Sequence, residues 1–231
     1  MILKGHDWLN HVQFSPTDPY TLMYAHEGPS DKVDRIWAIR YDGTQNKLMH
    51  ERTDANETVN HEFWGPDGHT IWYDLQKPSG KNFYLASYDV QSGQRKLYHL
   101  DKVASSVHYG ISKDGTLFCG DGRNTALPAA GSNTQGKTPW SRQWIETLKP
   151  IPLDATAATD PKMASWFDFN NKVSGKEVSL AGWLKPERLV NLSKNNYLRD
   201  EPNARFSPDG KYVIFTSNMF GSSYVFAVET K

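Results

Sequence analysis

The chain has 231 residues, and its 26 Lys and Arg balance 26 Asp and Glu to a formal net charge of zero. That balance excludes partners gripped by a broad basic field, nucleic acid and anionic membrane surfaces among them, while 38% hydrophobic and 23% charged residues exclude a disordered chain. The single cysteine, Cys119, excludes an internal disulfide framework and any multi-cysteine metal centre. No apolar run approaches the roughly 18 residues that would span a bilayer. The opening Met1-Ile-Leu-Lys-Gly-His6 does not read as a signal peptide, so a cytoplasmic and a periplasmic location both stay open.

In chain order, Ile2-Leu-Lys4 reads as an outer strand, and a repeated pattern then begins. His11-Val-Gln-Phe-Ser-Pro-Thr-Asp18 is echoed by His61-Glu-Phe-Trp-Gly-Pro-Asp-Gly68, His108-Tyr-Gly-Ile-Ser-Lys-Asp-Gly115 and Asn203-Ala-Arg-Phe-Ser-Pro-Asp-Gly210. Each copy is a short alternating run closed by a tight turn, in which Pro presets one dihedral, Asp bonds the backbone and Gly accepts a positive φ. Second strands follow at Thr21–Ala25, Thr70–Asp74, Thr116–Cys119 and Lys211–Thr216. Third strands follow at Arg35–Arg40, Asn82–Tyr88 and Ser223–Val228, and fourth strands at Lys47–His50 and Arg95–His99. Between them, Ala126–Lys162 is rich in Pro, Gly, Thr and Ala and predicts no strand, and strands resume near Glu177–Ala181 and Glu187–Leu192.

The leading residues are 50 and 47 positions apart and then 95, close to a double interval. A period in the forties with four short strands per unit predicts an all-β fold, a β-propeller of about four four-stranded blades. The expected blades are 9–58, 59–104, 106–200 with an insertion at about 126–170, and 201–231. The ends predict a fragment of a longer propeller, and an open ring would leave a face through which copies could associate.

First strands of propeller blades line the central channel, so in-register positions form a ring. His11, His61, His108 and Asn203 share one register, and Glu201 lies two residues before Asn203 on the same strand face. Imidazole with carboxylate and carboxamide oxygens suits a divalent transition metal, although channel residues bonded only to water would look the same. The loop His26-Glu-Gly-Pro29 with Arg35 offers cationic groups to an anionic substrate. Cys119 reads as a small core residue, and His6, His50, His69 and His99 read as surface residues. No Gly-x-Ser-x-Gly elbow or phosphate loop is present.

At these residues the chain resembles a known family. His11-Val-Gln-Phe-Ser-Pro, His26-Glu-Gly-Pro, Val33-Asp-Arg-Ile-Trp37, His61-Glu-Phe-Trp, Leu117-Phe-Cys-Gly-Asp-Gly122 and Phe215-Thr-Ser-Asn218 are similar to the oligogalacturonate lyases, family 22 of the polysaccharide lyases. The resemblance implies a seven-bladed propeller, of which this chain corresponds to roughly the last four blades, with Mn²⁺ or a close relative in the channel. It implies cleavage of short pectin fragments by β-elimination. It further implies His11 as the base, His61, Glu201 and Asn203 as metal ligands, and His26, Arg35 and His108 as substrate contacts, His108 also qualifying as a ligand. Where the family carries Gln-x-x-His-x-His before the last turn, this chain carries Leu198, Glu201 and Asn203, so two nitrogen donors become oxygen donors. A non-catalytic propeller, a binding or scaffold module, is the competing expectation.

Overall fold

Short runs of β-branched and aromatic residues, punctuated by Asp-Gly turns, favour pleated strands over helices. The structure, a computed structural model, describes residues 2–29, 32–52, 55–122, 143–153, 178–197 and 199–230. Its regular elements there are strands and one 3-10 turn, Lys102–Ala104. The strands are β1 (Leu9–Phe14), β2 (Thr21–His26), β3 (Ile36–Arg40), β4 (Lys47–Leu48), β5 (Thr58–Trp64), β6 (Thr70–Gln76), β7 (Phe83–Asp89) and β8 (Arg95–Leu100). They continue as β9 (Tyr109–Ile111), β10 (Phe118–Gly120), β11 (Trp144–Pro152), β12 (Val178–Asn191), β13 (Arg205–Phe206), β14 (Tyr212–Ser217) and β15 (Tyr224–Glu229). The chain divides into two units, 1–100 with 151–184, and 101–150 with 185–231, and the division falls inside β11 and β12.

In the first unit β1-β2-β3-β4 and β5-β6-β7-β8 are antiparallel four-stranded meanders, the building block of a propeller. Met23, Ile36, Ile71, Tyr73, Leu75, Tyr84 and Leu97 form a dry core between them. Polar bonds also join the two meanders: Ser15 Oγ donates to the Gly68 carbonyl at 2.7 Å and Trp64 Nε1 to the Gln13 carbonyl at 3.2 Å. The turn at Asp67-Gly68 shows why the repeat motif is written as it is. Asp67 Oδ1 accepts the amides of His69 and Thr70 at 3.1 and 3.0 Å, and a side chain on Gly68 would meet Thr17 Oγ1 at 1.9 Å. Asp114 and Asp209 likewise accept the amide two residues on, of Thr116 and Lys211, each at 3.1 Å, and in addition the hydroxyls of Ser112 and Ser207 at 2.6 Å.

In the second unit β9-β10-β11 and β13-β14-β15 are antiparallel. Cys119, Ile145, Leu192, Ala204, Val213 and Phe215 make its core, so Cys119 is the expected packing residue.

Three strand expectations need correction. Ile2–Lys4 forms no strand. The stretch predicted to lack strands holds β11, because Ile145-Glu-Thr-Leu148 is a buried, partly β-branched run whose signal is masked by Pro150 and Pro152. The two strands expected near Glu177–Ala181 and Glu187–Leu192 are one continuous strand, β12, whose Val178–Trp183 stretch runs parallel to β8 in the first unit. The remainder of the expected insertion, 126–142 and 154–170, lies outside the described residues.

Candidate active site

The register inferred from the repeats has a backbone signature. His11, His61 and Asn203 have φ of 51°, 52° and 50°, a left-handed conformation uncommon outside Gly. At His11 and His61 it belongs to a β-bulge, with pairing interrupted between Asn10 and Gln13 and between Asn60 and Phe63. A bulge re-aims a side chain out of the ladder. His108, placed in the same register by sequence, lacks this conformation and lies just before β9.

Each of the three histidines in the register faces a buried carboxylate. His11 Nδ1 lies 3.0 Å from Glu62 Oε1, His61 Nδ1 3.7 Å from Asp74 Oδ2, and His108 Nδ1 2.7 Å from Asp121 Oδ2. Such partners orient an imidazole.

In the first unit the cluster around His11 is a cross-braced set of charges. Arg35 Nε donates to Glu62 Oε2 at 2.8 Å, while its terminal nitrogens hold both oxygens of Glu27. Glu27 Oε1 is also 3.4 Å from His11 Nε2, and Arg35 Nη2 is 3.4 Å from His11 Nδ1. The contact with Glu62 raises His11 above its ordinary value of 6.5, against the pull of partial burial and of the Arg35 charge. Burial alone would push Glu62 up, yet the bond to His11 and the charge and bond of Arg35 hold it at about 2. Arg35, expected to touch a substrate, therefore has its guanidinium engaged by two carboxylates and is only 10% exposed. The His26 amide donates to the Arg35 carbonyl at 2.8 Å, and its Nε2 lies 3.9 Å from Asp7 Oδ1.

In the second unit Asp121 is the organising group. Its Oδ1 accepts the amides of His108 at 2.9 Å and Val107 at 3.3 Å, and its Oδ2 takes His108 Nδ1 and the amide of Asn203 at 3.2 Å. His108 Nε2 then lies 3.6 Å from Glu201 Oε2. Asn203 Nδ2 donates to the Glu201 carbonyl at 3.0 Å, which turns its amide oxygen to other partners. Nearby in the unit, Glu146 is buried with Oε1 unbonded; burial, with repulsion from Asp121 and against the pull of Arg188, pushes it up to about 8.

Of the residues named from sequence, His11 and Arg35 come together in the first unit, and His108, Glu201 and Asn203 in the second; His61 belongs to the first unit, beside Asp74. Among the described residues no group of three or more His, Cys, Asp or Glu side chains is assembled as a ligand cage. Leu198 lies outside the described residues. His50 and His99, expected at the surface, are buried. His50 bonds Glu57 and, at 2.8 Å, the Tyr73 hydroxyl, while Lys77 closes on Glu57 at 2.9 Å. The outer strand positions are covered rather than solvated, and a short outer strand gives no sequence sign of that. Glu27, Glu62, Asp74 and Asp121 were not anticipated as site residues. A signal existed for one: Glu62 directly follows His61 on β5, and a carboxylate next along a strand takes the opposite face, where burial demands a cation.

A family model described as oligogalacturonate lyase matches residues 1–137. An oligogalacturonate lyase of Dickeya dadantii (strain 3937) is 29% identical over 227 residues, covering 95% of this chain and 49% of that protein. An oligogalacturonide lyase of Pectobacterium atrosepticum is 30% identical over the same shares. A solved oligogalacturonate lyase in complex with manganese superposes with a TM-score of 0.70 at 21% identity, covering all of this chain and 50% of that one. The likeness shows an all-β fold of the propeller class. The chain spans about half the length of the curated relatives it matches.

Proposed function

This chain belongs to the oligogalacturonate lyase family, and from that premise we propose that it acts on short oligogalacturonides by metal-assisted β-elimination. The observation that carries the proposal is His11: an exposed-edge imidazole at a re-aimed bulge, held by buried Glu62 and made more basic by it. Breaking a 4-linked uronate requires removal of the C5 proton, a weak acid, by a base of sufficient strength. His11 takes that proton, the C5 electrons form the C4–C5 double bond, and the C4–O bond breaks, the leaving sugar's oxygen taking a proton from water. Because His11 must be neutral to accept the proton and its value lies above 6.5, the rate rises as pH climbs through that raised value.

A divalent ion, Mn²⁺ by analogy with the manganese complex above, is the proposed cofactor. The second unit offers donors that would hold it: His108 Nε2 and Glu201 Oε2 lie 3.6 Å apart, an imidazole nitrogen and a carboxylate oxygen. Asn203, in the same unit, is the further proposed oxygen donor, and His61 lies in the first unit beside Asp74. When bound, the ion neutralises the uronate carboxylate and stabilises the enolate that develops on proton removal. His26 is the proposed direct contact to the anionic sugar, and Arg35 contributes through the charge cluster it organises.

The test is exposure of the chain, with Mn²⁺, to trigalacturonate and to a neutral maltotriose control. The proposal expects an ultraviolet-absorbing 4,5-unsaturated uronate from trigalacturonate alone, and binding that weakens as salt screens the contacts. Equal binding to both sugars with no unsaturated product would refute it.

A further inference from the structure

His11 faces a second carboxylate besides Glu62. Its Nδ1 meets Glu62, whose side chain is wholly buried, and its Nε2 lies 3.4 Å from Oε1 of Glu27, whose side chain is 15% exposed. The backbone puts Glu27 there. It directly follows β2, its amide donates to the Trp8 carbonyl just before β1 at 2.8 Å, and the amide of its neighbour His26 is tied to the Arg35 carbonyl. The side chain is fixed as well: Arg35 Nη1 and Nη2 donate to Glu27 Oε2 and Oε1 at 2.5 and 3.0 Å, a two-pronged grip that keeps the carboxylate from turning out to solvent. A separation of 3.4 Å exceeds the roughly 2.7–2.9 Å of a charge-assisted hydrogen bond, so Glu27 acts on the ring by its charge and leaves the Nε2 lone pair to a substrate.

Glu62 from β5, Arg35 before β3 and Glu27 after β2 are the charged groups that face His11 among the described residues. Two carboxylates against one guanidinium leave an excess negative charge while His11 is neutral, and the cluster balances when His11 is an imidazolium. Glu62 raises His11 most, burial and the Arg35 charge oppose it, and the Glu27 charge adds to the rise.

We propose that Glu27 is a positioning residue for the base: fixed by Arg35 beside Nε2, it supplies the charge that holds the His11 ring once it has taken a proton. The proposal rests on the reading of His11 as the base. A carboxylate in that place has two opposed effects, since it makes His11 a stronger proton acceptor and raises the pH at which the acceptor becomes free. Removing the charge should trade one against the other.

Glu27→Gln keeps an oxygen beside the ring and removes the charge; Glu27→Asp withdraws the charge by one methylene. The first readout needs no turnover: the NMR titration of the His11 ring in the 231-residue chain, without metal or sugar, assigned with His11→Gln. Its midpoint should fall by roughly 0.3–1 pH unit in Glu27→Gln and by less in Glu27→Asp. The second is release of unsaturated uronate from trigalacturonate with Mn²⁺ across pH. In Glu27→Gln the acid limb of kcat should move down with the midpoint, while the plateau falls roughly 1.5- to 3-fold. An unmoved midpoint in the folded variants overturns the proposal, and so does an equal loss of rate at every pH, which is what a purely structural role would give. A shifted midpoint in a chain whose wild type releases no unsaturated product supports the hold of Glu27 on His11 and strikes the reading of His11 as the base.

Discussion

The two units solve one problem in different ways. Each backs a histidine with a buried carboxylate, but the first neutralises Glu62 with the guanidinium of Arg35, and the second surrounds Asp121 with backbone amides. A third carboxylate, Glu146, has neither arrangement, and burial drives it up to about 8 while Glu62 is held at about 2. Burial sets the direction of a carboxyl group's shift only when nothing within bonding distance answers it. Histidines show the same competition: His11, at the edge of the protein, is raised by Glu62, whereas His50, deeply buried, is lowered by burial despite its bond to Glu57.

The largest expected effect follows from removing the cation. Arg35→Met leaves Glu62 and Glu27 without a counter-charge and should destabilise the folded chain by about 3–5 kcal/mol, read by chemical denaturation at neutral pH. A loss below about 1 kcal/mol would mean that amides and His11 suffice in the first unit too, and the contrast between the units would disappear.

A smaller effect distinguishes Glu146. Its value is raised in the folded chain above the ordinary 4.5, so the neutral form stabilises fully below 4.5 and the benefit is lost as pH rises toward about 8. Glu146→Gln should flatten stability across that window, removing a slope of up to about 1.4 kcal/mol per pH unit. An unchanged slope would show that Glu146 is answered by a partner after all.

The smallest effect is at the open edge of the second unit. Glu201 is 54% exposed, so Glu201→Gln should change stability by less than about 1 kcal/mol even as it weakens Mn²⁺ binding. A larger loss would make Glu201 a structural anchor rather than a ligand.

What was legible in the sequence follows the same physics. The turns at Asp67-Gly68, Asp114-Gly115 and Asp209-Gly210 announced the strand order, because Gly and Asp there answer purely local demands. The repeats place His11, His61, His108 and Asn203 in one register; His11, His61 and Asn203 share a φ near 50°, and His108 does not. The carboxylates behind the histidines were not legible: Asp121 meets Asn203 only through folding, and a Gly-Asp-Gly stretch looks like an ordinary turn. The partners of Arg35 were not legible either: it stands directly before β3, and the carboxylates that hold it, Glu27 and Glu62, come from separate parts of the chain. Strand β11 was hidden because proline content outweighed the buried run before it.

The central claim is that His11 is the base of an oligogalacturonide β-elimination. The most direct measurement compares release of unsaturated uronate from trigalacturonate by the wild type and by His11→Ala, both supplied with Mn²⁺ and both shown to be folded. The account predicts product from the wild type, with a rate that rises with pH through a value above 6.5, and a loss of roughly 10²- to 10⁴-fold in His11→Ala. Turnover by His11→Ala at the wild-type rate would contradict it.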